Sequence, residues 1–412
     1  MSAFSTPLSG LEASSASLNV IANNLANLNT DGYKGQSLSF GDIFNQMQST
    51  SGNGDPIQIG AGVQVAGTSA NNSDGNVSST GVASNMALQG NGFFVVQSSD
   101  QTSFTRAGDF TVNSSGQLCT PSGDLVMGYP ATNGVVSTTA TLAPISVNQS
   151  TTMPAVATTS FQMNTNLDSS AGIGSTFNTP ISVNDSLGAP QVLTVQYTNT
   201  AANTWSYNVT LPASATGGTG SPTTVASGTL SFDTSGNLTS PAGSIAGINI
   251  TGLADGAAPM SLTWNLNNSS GTPTITQQNS ASATTTTNQN GFGVGTLTSY
   301  SVQPDGTVEG QFSNSQTLAL GKVAVANFAN VQGLAQSGNN DYQETFSSGA
   351  AVIGQAGTGG DGKITGGAVE QSNVDLSTEF SKMIIAQQSY EANAKALTTL
   401  NQVAQATIQM MT

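Results

Sequence analysis

The sequence predicts an α+β multidomain protein: helices at both chain ends form a coiled-coil-like stalk, and two β-rich, barrel- or sandwich-like domains are nested between them. Apolar residues recur every seven positions at both ends of the chain, which is typical of packed helices. The middle instead has short β-branched or aromatic segments bounded by Gly, Asn, Asp and Pro, which is typical of strands. Long Ser/Thr/Asn/Gly tracts divide that middle into parts.

The N-terminal helix is predicted from about Ser5 to Leu28. Pro7 suits its first turn, and Ser9 and Glu12 have the spacing of a capping box. Because the apolar residues repeat at heptad spacing, we expect them to form a contact face between helices. The residues of this face are Phe4, Leu11, Leu18 and Leu25, flanked by Leu8, Ile21, Ala22 and Leu28.

The C-terminal helix is predicted from about Leu376 to Met410, and Asp375 and Glu379 in its first turn favour the helix dipole. Its heptad residues are Leu376, Met383, Tyr390, Leu397, Ala404 and Met411, joined by Phe380, Ala394 and Ile408 four positions on. Matching heptads at both ends predict that the two terminal helices pack together or against other copies.

Four asparagines, Asn23, Asn24, Asn27 and Asn29, end the N-terminal helix, although Asn is unfavourable inside helices. One interpretation is that Asn23, Asn24 and Asn27 hydrogen-bond across an interface between subunits. The alternative is a fraying helix end before the turn at Asp31 and Gly32. We expect Lys34, which follows this turn, to be a solvated charge.

In the β-rich middle, three segments each predict a strand, a tight turn and a returning strand. They are FTVNSSGQL, LSFDTSGNL and YSVQPDGTV. Their Asp and Asn residues lack the alternating acidic ligands and final Glu of a calcium loop. We expect Cys119 at a half-buried strand position. Trp205 and Trp264 are expected to fill the core of an inserted domain.

The predicted organisation has four parts. Residues 1–30 and 370–412 form the helical assembly domain, and residues 31–71 and 356–369 an extended connector. Residues 72–160 and 292–355 form a discontinuous middle β domain, and 161–291 an inserted outer β domain. Gly-rich joints are expected near residues 52–62 and 354–367, with flexible positions at Gly32, Gly60, Gly62, Gly357 and Gly366.

The composition narrows the function classes. Of 412 residues only 7% are charged, with Lys+Arg 6 against Asp+Glu 21 and a formal net charge of −15. Binding to nucleic acid or to an anionic membrane needs clustered Lys and Arg. This sequence has no such cluster, so we expect neither as a partner. The chain has no His and one Cys, so we expect no catalytic residue, no cofactor site and no metal site. No apolar run approaches a membrane span and no signal peptide is visible, so we expect no membrane insertion.

The terminal helices are expected to associate between copies. The four large residues of the N-terminal heptad would gain roughly 6–12 kcal/mol on burial, whereas ordering the backbone costs about 1–2 kcal/mol per residue. A lone helix of this composition is therefore marginal. The alternative is a two-helix hairpin packed on the β domains of the same chain.

Three blocks resemble the bacterial flagellar axial proteins of the rod and hook. These are LSGLEASSASLNVIANNLANLNTDGYKGQSLSFGDIF, then LQGNGFFVV with SFTRAGDFTVNSSGQLCTPSGDLVMGY, and finally SNVDLSTEFSKMIIAQQSYEANAKALTTLNQVAQATIQMM. The inserted β domain, with TNLDSS and VNDSLGAPQVLTVQYTNTAANTWSYNVTL, resembles the hook members rather than the rod members.

The resemblance implies a structural subunit that polymerises into a curved, flexible tube, a universal joint between rotary motor and filament. It implies partners in addition to other copies: a rod protein, a hook-filament junction protein, the hook cap and the flagellar type III export apparatus. It also implies an extracellular location, reached without a cleaved signal peptide. The alternatives are a distal rod-type axial protein and, from another class, a secreted β-rich adhesin or glycan-binding protein. An enzyme is not expected, because the acidic residues are scattered rather than paired across a cleft.

Overall fold

The computed structural model describes residues 4–43, 46–50, 56–98 and 101–411. It contains two α-helices, one near each end of the chain, and many strands between them. The helices are α1 (Ser5–Ala26) and α2 (Leu376–Met411), and short 3₁₀ turns occur at Ala213–Thr216 and Val331–Gly333. Both terminal helices are confirmed, α1 ending two residues before the predicted Leu28.

The strands have the following bounds. They are β1 (Gln36–Asp42), β2 (Gln46–Thr50), β3 (Pro56–Ile59), β4 (Val63–Ala70), β5 (Val77–Ser79), β6 (Met86–Gln89), β7 (Phe93–Ser98), β8 (Gln101–Thr105), β9 (Thr111–Val112), β10 (Leu118–Cys119), β11 (Leu125–Thr132), β12 (Val135–Val136), β13 (Ala143–Pro144), β14 (Thr152–Met153), β15 (Ser160–Asp168), β16 (Thr176–Asn184), β17 (Pro190–Ala201), β18 (Thr204–Leu211), β19 (Thr223–Phe232), β20 (Leu238–Ser240), β21 (Ser244–Ile250), β22 (Met260–Asn265), β23 (Ile275–Gln278), β24 (Ala283–Gln289), β25 (Gly295–Val302), β26 (Thr307–Phe312), β27 (Thr317–Asn327), β28 (Ala335–Gly338), β29 (Asp341–Gln343), β30 (Val352–Gln355), β31 (Lys363–Gly366) and β32 (Ala368–Glu370).

The chain divides into two compact units. The first comprises Met1–Asn148, Ser299–Gly310 and Thr317–Thr412, and the second Gln149–Thr298 and Gln311–Gln316. The four-part organisation that the sequence predicts is finer than these two units, and it stays a prediction.

The β part of the first unit is built around strand β7. Strands β27, β11, β7, β8, β29 and β28 lie side by side in that order. Phe94 and Val96 point into one buried cluster and Phe93 and Val95 into another. Because successive side chains of a strand face opposite sides, both faces of β7 are covered, which explains the continuous apolar run GFFVV.

Three short ladders connect this β part to the helices. Strand β1 pairs with β4 in a hairpin, from Gln36 opposite Ala70 to Asp42 opposite Val63. Strand β31 pairs with β6, and β32, which directly precedes α2, pairs with β5. Each ladder is antiparallel, and the last two join the C-terminal part of the chain to the segment that follows β4.

The second unit contains two sheets around one core. Strands β16 to β20 form a five-stranded meander, and β21, β22, β15 and β23, with β24 on β15, form the other sheet. Side chains of both sheets share a single buried cluster. Trp205 and Trp264 are completely buried in it, which confirms the prediction that they fill this core.

All three predicted hairpin turns are confirmed and share one geometry. The N–H of the first turn residue donates to the carbonyl four residues on, at 2.9 Å in each: Asn113 to Gln117, Asp233 to Asn237 and Gln303 to Thr307. Each turn ends with a glycine at positive φ, because this left-handed conformation is unfavourable for other residues. Cys119 lies on β10, as the sequence predicts, but it is buried rather than half-buried.

The predicted capping box is wrong. The helix begins at Ser5, so Ser9 lies one turn inside it rather than at its start. The Ser9 hydroxyl donates to the Thr6 carbonyl at 2.9 Å and accepts the N–H of Val63, at the start of β4, at 3.2 Å. Ser9 therefore joins α1 to the β1–β4 hairpin.

Candidate assembly site at the terminal helices

The two terminal helices lie side by side and antiparallel, here called the helix pair. The Asn24 amide donates to Glu379 Oε2 at 3.2 Å. Near the other end of α1, a side chain added at Gly10 would meet the Asn393 amide nitrogen at 2.7 Å. Asn24 and Gly10 are as far apart in sequence as Glu379 and Asn393, so the two contacts fix one register. Glycine at position 10 permits this close approach.

The face of α1 that is buried within the chain differs from the heptad face. Its buried residues are Ala13, Ser14, Ile21 and Asn24. The heptad residues Phe4, Leu11, Leu18 and Leu25 are all half-buried. On a helical wheel the two faces differ by roughly 100°. Small residues therefore form the close contact, and the predicted coiled coil of the heptad face stays a prediction.

Asn24 is the most buried of the four asparagines, with 2% of its surface exposed. Its amide nitrogen donates to the Gln36 carbonyl at 2.8 Å, and its oxygen accepts from the Gln36 N–H at 2.9 Å and the Tyr33 hydroxyl at 3.2 Å. With the bond to Glu379, one side chain connects α1, β1 and α2. An interface role for Asn24 stays a prediction, and its hydrogen bonds lie within the chain.

The neighbouring asparagines also bond locally. Asn23 donates to the Tyr33 hydroxyl at 3.2 Å. The Asn27 amide donates back to the Asn23 carbonyl at 2.9 Å, and its oxygen accepts from the Thr30 hydroxyl at 3.1 Å. Asn23 is exposed and Asn27 half-buried, so both retain surface that another copy could contact.

A group of charged residues lies at the base of the helix pair, here called the basal cluster: Lys34, Asp74, Arg106 and Glu370. Lys34 Nζ is 2.6 Å from Glu370 Oε1, and Arg106 Nη1 is 3.4 Å from Glu370 Oε2. Asp74 lies 3.7 Å from Arg106. The expectation that Lys34 is solvated is wrong, because only 2% of it is exposed.

Backbone groups add hydrogen bonds to the basal cluster, although the buried Arg106 Nε has no partner among the described residues. Lys34 also donates to the Ser73 carbonyl at 2.8 Å, and Glu370 Oε1 accepts the Gly75 N–H at 2.7 Å. Arg106 donates to the carbonyls of Leu88 and Gly90 and lies over the Phe93 ring. Burial lowers the pKa of the Lys34 ammonium group, and the bond to Glu370 opposes that shift. Buried charges are tolerated when paired and hydrogen-bonded in this way.

The basal cluster joins three parts of the chain that are distant in sequence. Lys34 follows α1, Glu370 ends β32 just before α2, and Arg106 follows β8. Asn373 reinforces the junction, since it accepts the Gly35 N–H at 2.8 Å and donates to the Asn71 carbonyl at 2.8 Å. The basal cluster and the Asn373 hydrogen bonds thus fix the positions at which both helices leave the β part of the first unit.

An open groove of about 540 Å³ lies between the helix pair and the β1–β4 hairpin, here called the apolar groove. Most of its lining is apolar or small. From α1 the lining includes Gly10, Ala13, Ser17, Val20 and Ile21; from the hairpin Leu38, Phe40 and Val63; and from α2 Glu379, Lys382, Ile385, Ala386 and Asn393.

Helix α2 exposes many apolar side chains. Among the predicted interface residues, Leu376, Phe380 and Tyr390 are more than 40% exposed, whereas Met383 and Leu397 are half-buried. The side chain of Met411 lies outside the described part of the chain. Further exposed apolar residues on α2 are Ile384, Ile385, Val403, Ile408 and Met410. Isolated exposed apolar residues are ordinary, whereas a series along one helix is typical of an interaction surface, and that role stays a prediction here.

Of the predicted flexible positions, Gly60 is exposed, and Gly357 has a φ of 74°. Gly32, Gly62 and Gly366 lie at close approaches instead. A side chain added there would meet, respectively, the backbone at Arg106, the Ser9 hydroxyl and the Val302 carbonyl. Flexibility at these glycines stays a prediction. Residues 52–55 of the first predicted joint lie outside the described residues.

Among the described residues, no group of three or more His, Cys, Asp or Glu side chains is placed to hold a metal ion. Neither described helix has a stretch apolar enough to cross a membrane.

Comparison with known families gives four matches in chain order. Residues 4–34 match the flagella basal body rod protein family, and 87–166 the flagellar hook protein FlgE/F/G D1 domain. Residues 157–292 match the flagellar basal body protein FlaE D2 domain, and 365–410 the flagellar basal body rod FlgEFG protein C-terminal family.

Relatives match the chain along nearly its whole length. The flagellar hook protein FlgE of Escherichia coli is 35% identical over 97% of this chain and 98% of its own. That of Salmonella typhimurium is 36% identical over 97% of this chain and 98% of its own. That of Rhizobium meliloti is 32% identical over 96% of this chain and 95% of its own. The chain therefore belongs to the flagellar hook protein family and is a structural subunit of the bacterial flagellar hook.

Proposed function

We propose that the chain polymerises with copies of itself into the hook tube, and that the terminal helices, as a coiled-coil-like stalk, supply the main contacts. The observation that carries this proposal is the series of exposed apolar side chains on α2. Burying a Leu, Ile or Phe side chain contributes about 1.5–3 kcal/mol. Association of copies would therefore turn the exposed faces of both helices into stabilising contacts.

The β parts carry the outer surface of this polymer in the proposed arrangement. The tube acts as a curved, flexible coupling, a universal joint that transmits torque from motor to filament. Its flexibility comes from sliding of subunits past one another. The low charge supports this, because contacts between hydrated Ser, Thr, Asn and Gln side chains exchange at little cost.

The remaining partners are proposed from the family. The subunit leaves the cell through the flagellar type III export apparatus without a cleaved signal peptide and polymerises outside, beneath the hook cap. The tube contacts a rod protein at its proximal end and a hook-filament junction protein at its distal end. Its role is mechanical, without an active site or a cofactor.

Electron microscopy of the purified chain tests the proposal. With a formal net charge of −15, copies repel one another at low salt. At about 1 M salt the screening length falls to about 3 Å, so polymerisation should be favoured there. Curved tubes in negative stain are the expected result. A chain that stays monomeric at high salt and high concentration would contradict self-assembly.

A truncated chain tests which elements assemble. Residues 27–375 lack both helices but retain the whole basal cluster, so no buried charge loses its partner. We expect this fragment to be folded and monomeric. Circular dichroism and thermal unfolding check its fold. If it still formed tubes, the helices would not be the assembly elements.

A further inference from the structure

We propose that the apolar groove of one copy receives the C-terminal part of α2, residues 400–410, from a second copy. This inference rests on the proposed self-assembly, and it names the two surfaces that meet.

The groove is open, and much of its lining is apolar. The Phe40 side chain is 46% exposed and the Ile385 side chain 64% exposed, although both line it. Most of its lining on α1 consists of small residues, such as Ala13 and Ser17, joined by Val20 and Ile21. Small residues let a further helix approach closely, and the larger side chains at the rim would contact it.

The proposed occupant is the part of α2 that extends past α1. In the register that places Gly10 against Asn393, the start of α1 at Ser5 is level with about Thr398, whereas α2 continues to Met411. Within this extension Val403 is 58%, Ile408 63% and Met410 81% exposed. Val403 and Met410 lie on one face, with Thr407 between them.

The lengths of the two surfaces match. The groove follows α1 from Gly10 to Ile21, which is about 16 Å at 1.5 Å per residue. Residues 400–410 span about 15 Å on the same basis. One turn more or less of helix would still fit an open groove of this length.

Charge favours the same pairing. Copies of a chain with a formal net charge of −15 repel in general, so contacts should form where charge is absent. Residues 396–412 contain no Asp, Glu, Lys or Arg. The charged groove residues Glu379 and Lys382 lie 2.7 Å apart and neutralise each other.

The geometry of the pairing predicts an open polymer. The groove and the extension are different surfaces of one chain, so each copy can offer its extension to one neighbour and its groove to another. Such heterologous contacts produce helical filaments when the rotation does not close. A helical tube is the assembly that the proposed function requires.

Disulfide trapping between two chains tests the pairing. Both chains carry Cys119→Ala; one adds Ser17→Cys in the groove and the other Thr407→Cys on the extension. After co-polymerisation and mild oxidation we expect covalent dimers. The matched control replaces Ser17→Cys by Ser15→Cys, which is exposed on α1 but outside the groove. That control should give few or no dimers.

The outcomes separate this pairing from self-assembly itself. Polymers without dimers, or with as many dimers from Ser15→Cys as from Ser17→Cys, would overturn the pairing and leave self-assembly standing. Absence of polymers from the Cys119→Ala parent would contradict the proposed function. A second pair of variants needs no cysteine: Ser17→Trp should fill the groove and reduce the sedimented polymer at least tenfold, whereas Ser15→Trp should not. Equal polymer from both would also overturn the pairing.

Discussion

Lys34 Nζ lies 2.6 Å from Glu370 Oε1, across 336 residues of sequence, with both side chains almost completely buried. One residue follows the first helix and the other precedes the second. Glu370 also faces Arg106 at 3.4 Å, so a single carboxylate contacts two buried cations, and Asp74 lies 3.7 Å from Arg106 as a second counter-charge. The pair thus joins the bases of both helices to the β part of the first unit.

Breaking this pair should destabilise the first unit. Removing one partner of a buried ion pair costs roughly 3–5 kcal/mol, so we expect that loss for Lys34→Met. Glu370→Gln should cost more, because it leaves both Lys34 and Arg106 without their shared counter-charge. The free energy of unfolding, measured in urea, checks both values.

A matched control is available in the Lys322–Asp305 pair, whose oxygen and nitrogen lie 3.0 Å apart with Asp305 largely exposed. Lys322→Met should change the free energy of unfolding by less than about 1 kcal/mol. In a double-mutant cycle, Lys34→Met with Glu370→Gln should cost less than the sum of the single changes. Equal effects of Lys34→Met and Lys322→Met would contradict a structural role for the basal cluster.

Asp341 should make stability depend on pH in the acidic range. Burial and the nearby Asp124 charge raise the pKa of the Asp341 carboxyl from 3.8 to about 6. The folded state therefore binds the proton more tightly than the unfolded state. Its stabilising contribution is complete below pH 3.8 and is lost as pH rises through about 6.

The variant Asp341→Asn should remove this dependence. At pH 7 it should raise the free energy of unfolding by up to about 3 kcal/mol, since each pKa unit corresponds to about 1.4 kcal/mol. At pH 3.5 it should differ little from the parent. Asp124→Asn, which removes only the smaller cause, should give a smaller gain. A gain for Asp341→Asn that is the same at both pH values would contradict the titration.

Asn24→Ala should destabilise the monomer by about 1–3 kcal/mol, because it removes the side-chain hydrogen bonds to the Gln36 carbonyl and N–H and to Glu379 Oε2. Asn29→Ala, at an exposed position, should change stability by less than about 0.5 kcal/mol. Urea unfolding of the monomer separates two roles. If Asn24 acted only between subunits, its loss would leave the monomer unchanged and weaken only the polymer.

The sequence predicted the features that depend on local pattern. Heptads located both helices, Asn/Asp-Gly turns located three hairpins, and Trp205 and Trp264 indicated a core. Lys34 could not be recognised as buried, because its partners Glu370 and Arg106 are distant in sequence. Its position beside a turn is equally typical of a solvated lysine. Only knowledge of which strands meet would reveal the pairing.

The buried face of α1 was missed for a different reason. A periodic row of large apolar residues predicts a contact, whereas close helix packing here uses Gly10, Ala13 and Ser14. Small residues contribute little to a hydrophobic pattern, yet they permit the shortest distance between helices. The hydrogen bonds of Asn24 to β1 and α2 could not be predicted from the sequence for the same reason, because they form only when the two helices pack closely.

The exposed row Leu376, Phe380 and Ile384 on α2 should be needed for polymerisation but not for folding. These residues repeat every fourth position and so lie on one face, and each is more than 40% exposed. Replacing all three by Ser should leave the thermal unfolding of the monomer within a few degrees of the parent, because little buried contact is lost. Sedimentation of polymer at high salt should fall at least tenfold. The control replaces the exposed polar residues Ser381, Gln387 and Gln388 by Ala. Full polymerisation of the Leu376→Ser, Phe380→Ser, Ile384→Ser variant would show that this face of α2 remains exposed to solvent in the assembled tube.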